Sequence, residues 1–182
     1  MNGLTEQALK LMSEANRARL EDRPEDAHRD YATAVALCRQ SGARRELIQA
    51  LKGLGQIERD MDRGDAALRL YEEAVALCRE EDDPLVLAHT VRHVGDIHRD
   101  AGRAELAEAC YLEALAIYRN NEHTDTLDLA NAVRPLAILK DAAGEVAEAR
   151  RLWAEARDLY AAANVQQGAL ESSRRLKRLE AV

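Results

Sequence analysis

LAHTVRHVGDIHRDAGRAELAEACYLEALAIYR, residues Leu87 to Arg119, decides the fold. It reads as two amphipathic helices joined at Asp100-Ala101-Gly102-Arg103, because no part of it alternates with the period of two that a strand needs. Counted from Tyr111, small residues stand sixteen before (Gly95), nine before (Gly102), four before (Ala107) and three after (Ala114). The same offsets from Tyr71 reach Gly55, Asp62, Ala67 and Ala74. From Tyr31 they reach Ala15, Asp22, Ala27 and Ala34, and from Trp153 they reach Ala137, Gly144, Ala149 and Ala156. The anchors are spaced 40, 40 and 42 residues apart (31 to 71, 71 to 111, 111 to 153). Self-similarity at such a period marks a helical repeat array. A Gly or Ala on the first helix of each pair leaves room for the bulky anchor on the second. For Gly55 and Gly95 that room is set against a helix-propensity cost of about 1 kcal/mol each relative to Ala.

The pattern of small residue, turn Gly, Ala, aromatic and Ala resembles the tetratricopeptide repeat, over about residues 9–162. Its period exceeds the usual 34 residues, which brings it nearer the long-repeat, kinesin-light-chain-like and bacterial arrays. The Pro that closes each repeat in that family is mostly missing, and Pro84 is its nearest substitute. The resemblance implies an all-α, right-handed superhelical solenoid whose first helices line a concave, peptide-binding groove.

Composition agrees with helices. The chain has 182 residues, is 47% hydrophobic, mostly Ala and Leu, and has no Phe and 3% aromatics. A net charge of −7 with 32% charged residues argues against a general nucleic-acid binder, which presents a basic surface. No run of about 18 apolar residues offers a membrane span, and the charged MNGLTEQALKLMSEANRAR start does not read as a signal peptide. Cys38, Cys78 and Cys110 lack metal spacing. Cys38 and Cys78 share one repeat position, seven after the anchor, with Tyr118 and Tyr160, and so read as packing residues. A reducing, cytoplasmic setting follows.

Along the chain the expected repeats are 5–42, 44–82, 84–122 and 125–163, followed by a capping helix over 165–181, in one array spanning 1–182. Thr5 is a candidate N-cap, and Pro24 suits the first turn of the second helix. Ser41-Gly42 reads as a helix stop, and Asp125 or Thr126 as the start of the seventh helix. Pro135 falls inside that helix, which is expected to kink there rather than start later, because Leu129, Val133, Leu136 and Leu139 keep one apolar face continuous across it. Ala169, Leu176 and Leu179 give the last helix an apolar side with which to close an open end.

Function is sought in what repeats on the first helices besides core. Nineteen before the anchors stand Met12, Lys52, Arg92 and Arg134, and Arg174 continues the series. Twelve before stand Arg19, Arg59 and Arg99, then Asp141. Seven residues separate the two series, two helical turns, so they share one face. Asn16, Gln56 and Asp96 lie between them. A ladder of cations with amide or carboxylate rungs would suit an acidic peptide, because arginine forks match carboxylates. The alternative is pairing of these cations with Asp60, Asp96 and Asp100. The carboxylate clamp of chaperone-binding relatives carries over only in part: Asn16 matches its first Asn, but Met12 replaces its first Lys, Gly53 its second Asn, and His93 stands where Arg would help. His89 and His93, four apart with Asp96 beyond, have helical metal-ligand spacing, but no third ligand follows and Arg92 and Arg99 oppose a cation. His28 and His123 read as surface residues, and His98 as packed or solvated. Glu72-Glu73 and Glu80-Glu81 read as solvated surface. No phosphate loop and no nucleophile–base arrangement is present, so neither catalysis nor a cofactor is expected.

The reading is therefore a non-catalytic scaffold or adaptor for a protein or peptide, without metal, cofactor, nucleic acid or membrane. Its candidate groove residues are Asn16, Arg19, Lys52, Gln56, Arg59, His89, Arg92, His93, Asp96, Arg99 and Arg134. Two alternatives stand beside it: a sensor of a small anionic ligand or signalling peptide, and a module that forms a homodimer through a terminal apolar face.

Overall fold

The computed structural model describes residues 3–180. Among them lie nine α-helices and no strand. The chain divides into two compact units, Met1–Asp83 and Pro84–Val182. The first unit contains α1 (Gly3–Leu20), α2 (Pro24–Ser41), α3 (Arg44–Asp60) and α4 (Gly64–Glu80). The second contains α5 (Pro84–Asp100), α6 (Ala104–Arg119), α7 (Thr126–Ala142), α8 (Val146–Ala162) and α9 (Gln166–Glu180). In each, consecutive helices pack side by side. Each unit has its own core, centred on Tyr31, Leu51 and Ile57 in the first and on Tyr111, Tyr118 and Trp153 in the second.

The helix boundaries follow local chemistry. Pro24 opens α2, and Gly42 ends it with φ 69°. Pro84 likewise opens α5, so it starts a helix rather than closing a repeat. Asp125 caps α7, its side chain accepting the Leu127 N–H at 2.7 Å. Thr5 is not a cap but a buried residue inside α1. Pro135 is buried inside an unbroken α7, which rules out the later start. Ala181, the expected last residue of the final helix, lies outside the described residues.

The position nine before each anchor has one backbone conformation in all four frames. Asp22, Asp62, Gly102 and Gly144 have φ of 56°, 59°, 72° and 74°. At each, the next residue's N–H reaches back to the helix, as from Arg63 to Glu58 O at 2.8 Å and from Arg103 to His98 O at 2.8 Å. Left-handed backbone costs a side-chain-bearing residue about 1–2 kcal/mol, while glycine loses about 0.4–1 kcal/mol more entropy on folding. Asp62→Gly is therefore expected to stabilise the first unit by about 0.5–1 kcal/mol, read as a higher denaturant midpoint. An unchanged or lower midpoint contradicts this.

Small residues meet the anchors as the spacing requires. A Cβ on Gly55 would lie 2.8 Å from the Tyr71 ring, and one on Gly95 2.7 Å from the Tyr111 ring. Two further glycines meet rings of the preceding helix, Gly53 the anchor Tyr31 and Gly168 the Tyr160 that stands seven after an anchor. A Cβ on Gly53 would come within 2.1 Å of the Tyr31 ring, and one on Gly168 within 2.5 Å of the Tyr160 ring. Gly53 is thus a packing residue against the preceding anchor, and not a vacated clamp position. Arg175, which like Gly53 follows its anchor by 22 residues, lies over the Trp153 ring at 5.8 Å from the centroid, within cation–π range. Cys38 and Cys78 are buried and form no disulfide, and burial pushes the Cys38 thiol up, which disfavours thiolate reactivity.

Charge ties the second helices together. Arg39 on α2 holds Glu73 on α4 at 2.7 Å, and Arg119 on α6 holds Glu155 on α8 at 2.6 Å. In both pairs an Arg eight after one anchor meets a Glu two after the next. Glu80 pairs with Arg44 at 2.8 Å and Glu81 with Arg45 at 3.8 Å. Glu73 and Glu80 therefore bridge helices instead of merely facing solvent, and Glu81 ties the end of α4 to α3.

His28 is not a simple surface residue either. Its Nε2 lies 2.8 Å from the buried Glu58, which also accepts from Arg63. The same three repeat positions in the second unit hold Glu108, Lys140 and Glu145, with Lys140 Nζ 2.6 Å and 3.0 Å from the two carboxylates. The arrangement is shared and the charges are reversed. A buried charge in either sense needs its partners.

Candidate partner-binding face

Each unit presents the polar side of its first helices. In the first unit, Asn16 accepts the Tyr31 hydroxyl at 2.7 Å. Arg19 donates to Asp60 at 2.6 Å, and Gln56 donates to the other oxygen of the same carboxylate at 2.7 Å. Asp60 thereby links α1 to α3. Lys52 and Arg59 are half-buried on α3, and Met12 is half-buried against the core.

The second unit concentrates its charge around Asp96, which is 6% exposed. Its Oδ1 accepts the Tyr111 hydroxyl at 3.0 Å and Arg99 Nη1 at 3.4 Å, and its Oδ2 accepts Arg92 Nη1 at 3.2 Å. Arg99 also holds Asp100 at 2.8 Å. Arg92 Nη2 lies 2.9 Å from His93 Nε2, and His89 Nε2 lies 3.2 Å from that same nitrogen. A guanidinium only donates, so His93 Nε2 is the acceptor. Its proton then sits on Nδ1, which faces Asp96 Oδ2 at 3.6 Å. The histidine pair is thus part of the Arg92–Asp96 network, with an arginine where a metal would stand. Among the described residues no group of three or more His, Cys, Asp or Glu is placed to hold a metal ion.

On α7 and α9, Arg134 makes a two-pronged bond to Glu171, both contacts 2.9 Å. Asp141 pairs with Arg175 at 3.8 Å and with Arg178. The pairing of Arg92 and Arg99 with Asp96 and Asp100 is the one read as the alternative from sequence. Asp60 pairs as well, through Arg19, and Glu171 was missed.

One regularity joins face and core. Fifteen before the anchors stand Asn16 and Asp96, and each accepts that anchor's hydroxyl. Where the anchor is Trp153 that position is Ile138, and the buried indole N–H has no acceptor. Tyr160 recovers an equivalent bond from its own position, donating to Asn131 at 2.9 Å.

These buried phenols respond to alkali. Burial pushes the Tyr118 phenol up to about 12. Tyr111 is raised as well, by burial first and then by the Asp96 charge. An unfolded phenol ionises near about 10, so above that pH the folded state holds protons that the unfolded state has lost. The stability of the second unit is thus intact below about pH 10 and falls as pH rises through about 12. The phenolate absorbance of these two tyrosines is expected to appear together with loss of the helical circular-dichroism signal. Ionisation of both while the helices persist contradicts it.

The tetratricopeptide repeat family matches residues 47–81, the segment that holds Gly55, Asp62, Ala67, Tyr71 and Ala74. No curated protein matches the chain. Among solved structures, the chain is similar to a putative kinesin light chain from Podosopora anserina with nearly identical TPR-like repeats. A single-substitution form of that protein is 16% identical with TM-score 0.80, over 98% of this chain and 87% of that one. A second structure of it is 15% identical with TM-score 0.74, over 100% and 98%. The apo form of RapI is 11% identical with TM-score 0.83, over 94% of this chain but 47% of that one. Such identities carry the fold alone: an all-α repeat solenoid. No helix among the described residues is long and apolar enough to cross a membrane.

Proposed function

We propose that this tetratricopeptide-repeat chain is a non-catalytic interaction module that holds a peptide or protein segment against the polar face of its first helices. Repeat proteins of this family generally bind protein or peptide partners. The observation that carries the reading is the exposure of one ion pair on the first-helix face of each unit. The Arg19 and Asp60 side chains are 44% and 36% exposed, and those of Arg134 and Glu171 are 38% and 33% exposed. Pairs so open are worth little to stability, about 0–1 kcal/mol, so a partner carboxylate replaces Asp60 or Glu171 at small cost. Arg92 and Arg99 serve a different purpose, since they neutralise the buried Asp96. The partner best suited is an acidic segment, bound by exchange of ion pairs at Arg19 or Arg134, with Gln56 sharing Asp60 with Arg19 and with Lys52 and Arg59 on the same helix as Gln56. A reducing, cytoplasmic setting fits three cysteines that form no disulfide. A net charge of −7 disfavours nucleic acid.

The test is binding of labelled acidic, neutral and basic peptide pools to the wild type, Arg19→Glu, Arg134→Glu and the outward-facing control Arg151→Glu. An acidic pool that binds best, and loses at least about tenfold in affinity with one of the first two variants and less than about twofold with the control, supports the reading. Equal losses in all three variants, or no preference among pools, contradicts it. A compact anion that displaces the peptides would favour the sensor instead.

A further inference from the structure

The outward surface of α6 differs from those of the other second helices. Leu106 and Leu112 are 52% and 50% exposed, and Ala109 and Ala116 between and beyond them are exposed as well. At the position of Ala109, two before the anchor, the other second helices all carry arginine: Arg29, Arg69 and Arg151. On this helix alone an alanine takes the place of that arginine, and on this helix alone the residue after the anchor is a leucine, where the others have Ala32, Glu72 and Ala154.

The stripe has the spacing of a helix–helix seam. Glu105, Ala109, Leu112, Ala116 and Arg119 follow one another at intervals of four, three, four and three, the repeat that faces a partner helix in a coiled coil. Ala109 and Ala116 are seven apart and small, which lets two helix axes approach to the short end of the usual range of about 8–10 Å. Glu105 and Arg119 close the seam, each seven residues from Leu112. That symmetry chooses the occupant. If a second α6 crosses antiparallel about a two-fold axis at Leu112, each Glu105 meets the other copy's Arg119. A parallel crossing would set like charges against each other at both ends. Arg119 has donors to spare beyond the one it gives Glu155 at 2.6 Å.

We propose that the outward face of α6 is a homodimerisation surface, pairing antiparallel with α6 of a second copy about Leu112 and leaving the first-helix faces free. It stands beside the terminal apolar face expected from sequence: the exposed side of the end helix α9 combines one leucine, Leu170, with Gln167, Arg174 and Lys177. A single-helix contact lies at the low end of interface size, so association is weak and reversible.

Sedimentation velocity over about 1–500 μM, a range that spans weak association, tests it. The wild type is expected to shift from 20.2 kDa toward twice that mass. Leu112→Glu should raise the midpoint concentration at least about tenfold, and Glu105→Arg about threefold or more. Circular dichroism must show both variants folded, as their exposure predicts. In a Cys110→Ser background, Leu112→Cys is expected to cross-link to itself on mild oxidation, because residues on the axis meet their own copies. Leu106→Cys cross-links much less. A mass that stays monomeric throughout, a midpoint unmoved by Leu112→Glu or Glu105→Arg, or equal cross-linking at both cysteine positions overturns the proposal.

Discussion

Asp96→Ala is expected to destabilise the 84–182 unit by about 3 kcal/mol, the lower part of the range for breaking a buried ion pair from one side. The carboxylate is 6% exposed and takes hydrogen bonds from Tyr111, Arg92 and Arg99 at 3.0, 3.2 and 3.4 Å. Its removal takes a partner from a fully buried hydroxyl and the counter-charge from side chains that are 14% and 25% exposed. Arg99 keeps Asp100 at 2.8 Å, which holds the loss below the upper part of that range. Denaturant unfolding measures the effect. Tyr111→Phe in the Asp96→Ala background should cost less than Tyr111→Phe alone, because the two share one interaction. Strict additivity, or a loss under about 1 kcal/mol, would show that Asp96 is not the centre of this network.

Gly95→Leu is expected to cost a further class of energy, overpacking, at about 3 kcal/mol or more. A Cβ alone would stand 2.7 and 2.8 Å from Tyr111 ring atoms and 3.1 Å from Cys110 Cβ. Tyr111 is 0% exposed and anchored through its hydroxyl, so the ring cannot swing clear without breaking the Asp96 bond. Gly95→Ala already collides and gains only about 1 kcal/mol of helix propensity in return. The matching check is the pair Gly95→Leu with Tyr111→Ala, which should recover part of the loss by giving the leucine the space of the ring. A stable Gly95→Leu single variant would contradict the close approach that defines the repeat.

These two residues also mark where the sequence is readable. The contact of Gly95 with Tyr111 is local to one helix pair, so it leaves a fixed offset that repeats in four frames. The left-handed turn nine before each anchor is equally visible, because only glycine and aspartate occupy it. Gly53 and Gly168 leave no such mark: the ring over Gly168 belongs to Tyr160, which is not an anchor, and the ring over Gly53 arrives from the preceding repeat, where the offset of 22 residues after an anchor shows glycine at only one of four positions. Arg175 over Trp153 occupies another of these, with no chemistry in common. The cation series on the first helices was legible as positions but its pairing was not, since Arg19 meets Asp60 and Arg134 meets Glu171 from 41 and 37 residues away. Periodicity locates a side chain on a face. It does not say which neighbour's carboxylate reaches it.

The distinction bears on variants. Reversing Arg59, Arg92 and Arg99 together removes the counter-charges of Asp96 along with any binding surface, so a loss of partners would not separate misfolding from a lost contact. Arg19 and Arg134 avoid that confusion, because both they and their carboxylates are partly open to solvent.

The most direct measurement is quantitative capture from the source cell's lysate with three proteins in parallel: wild type, Arg19→Glu/Arg134→Glu, and Leu112→Glu. Proteins held by the wild type and by Leu112→Glu, but lost by the arginine variant, are the predicted result and assign binding to the first-helix face. Partners retained by the arginine variant and lost by Leu112→Glu would move the binding surface to α6 and contradict the central claim.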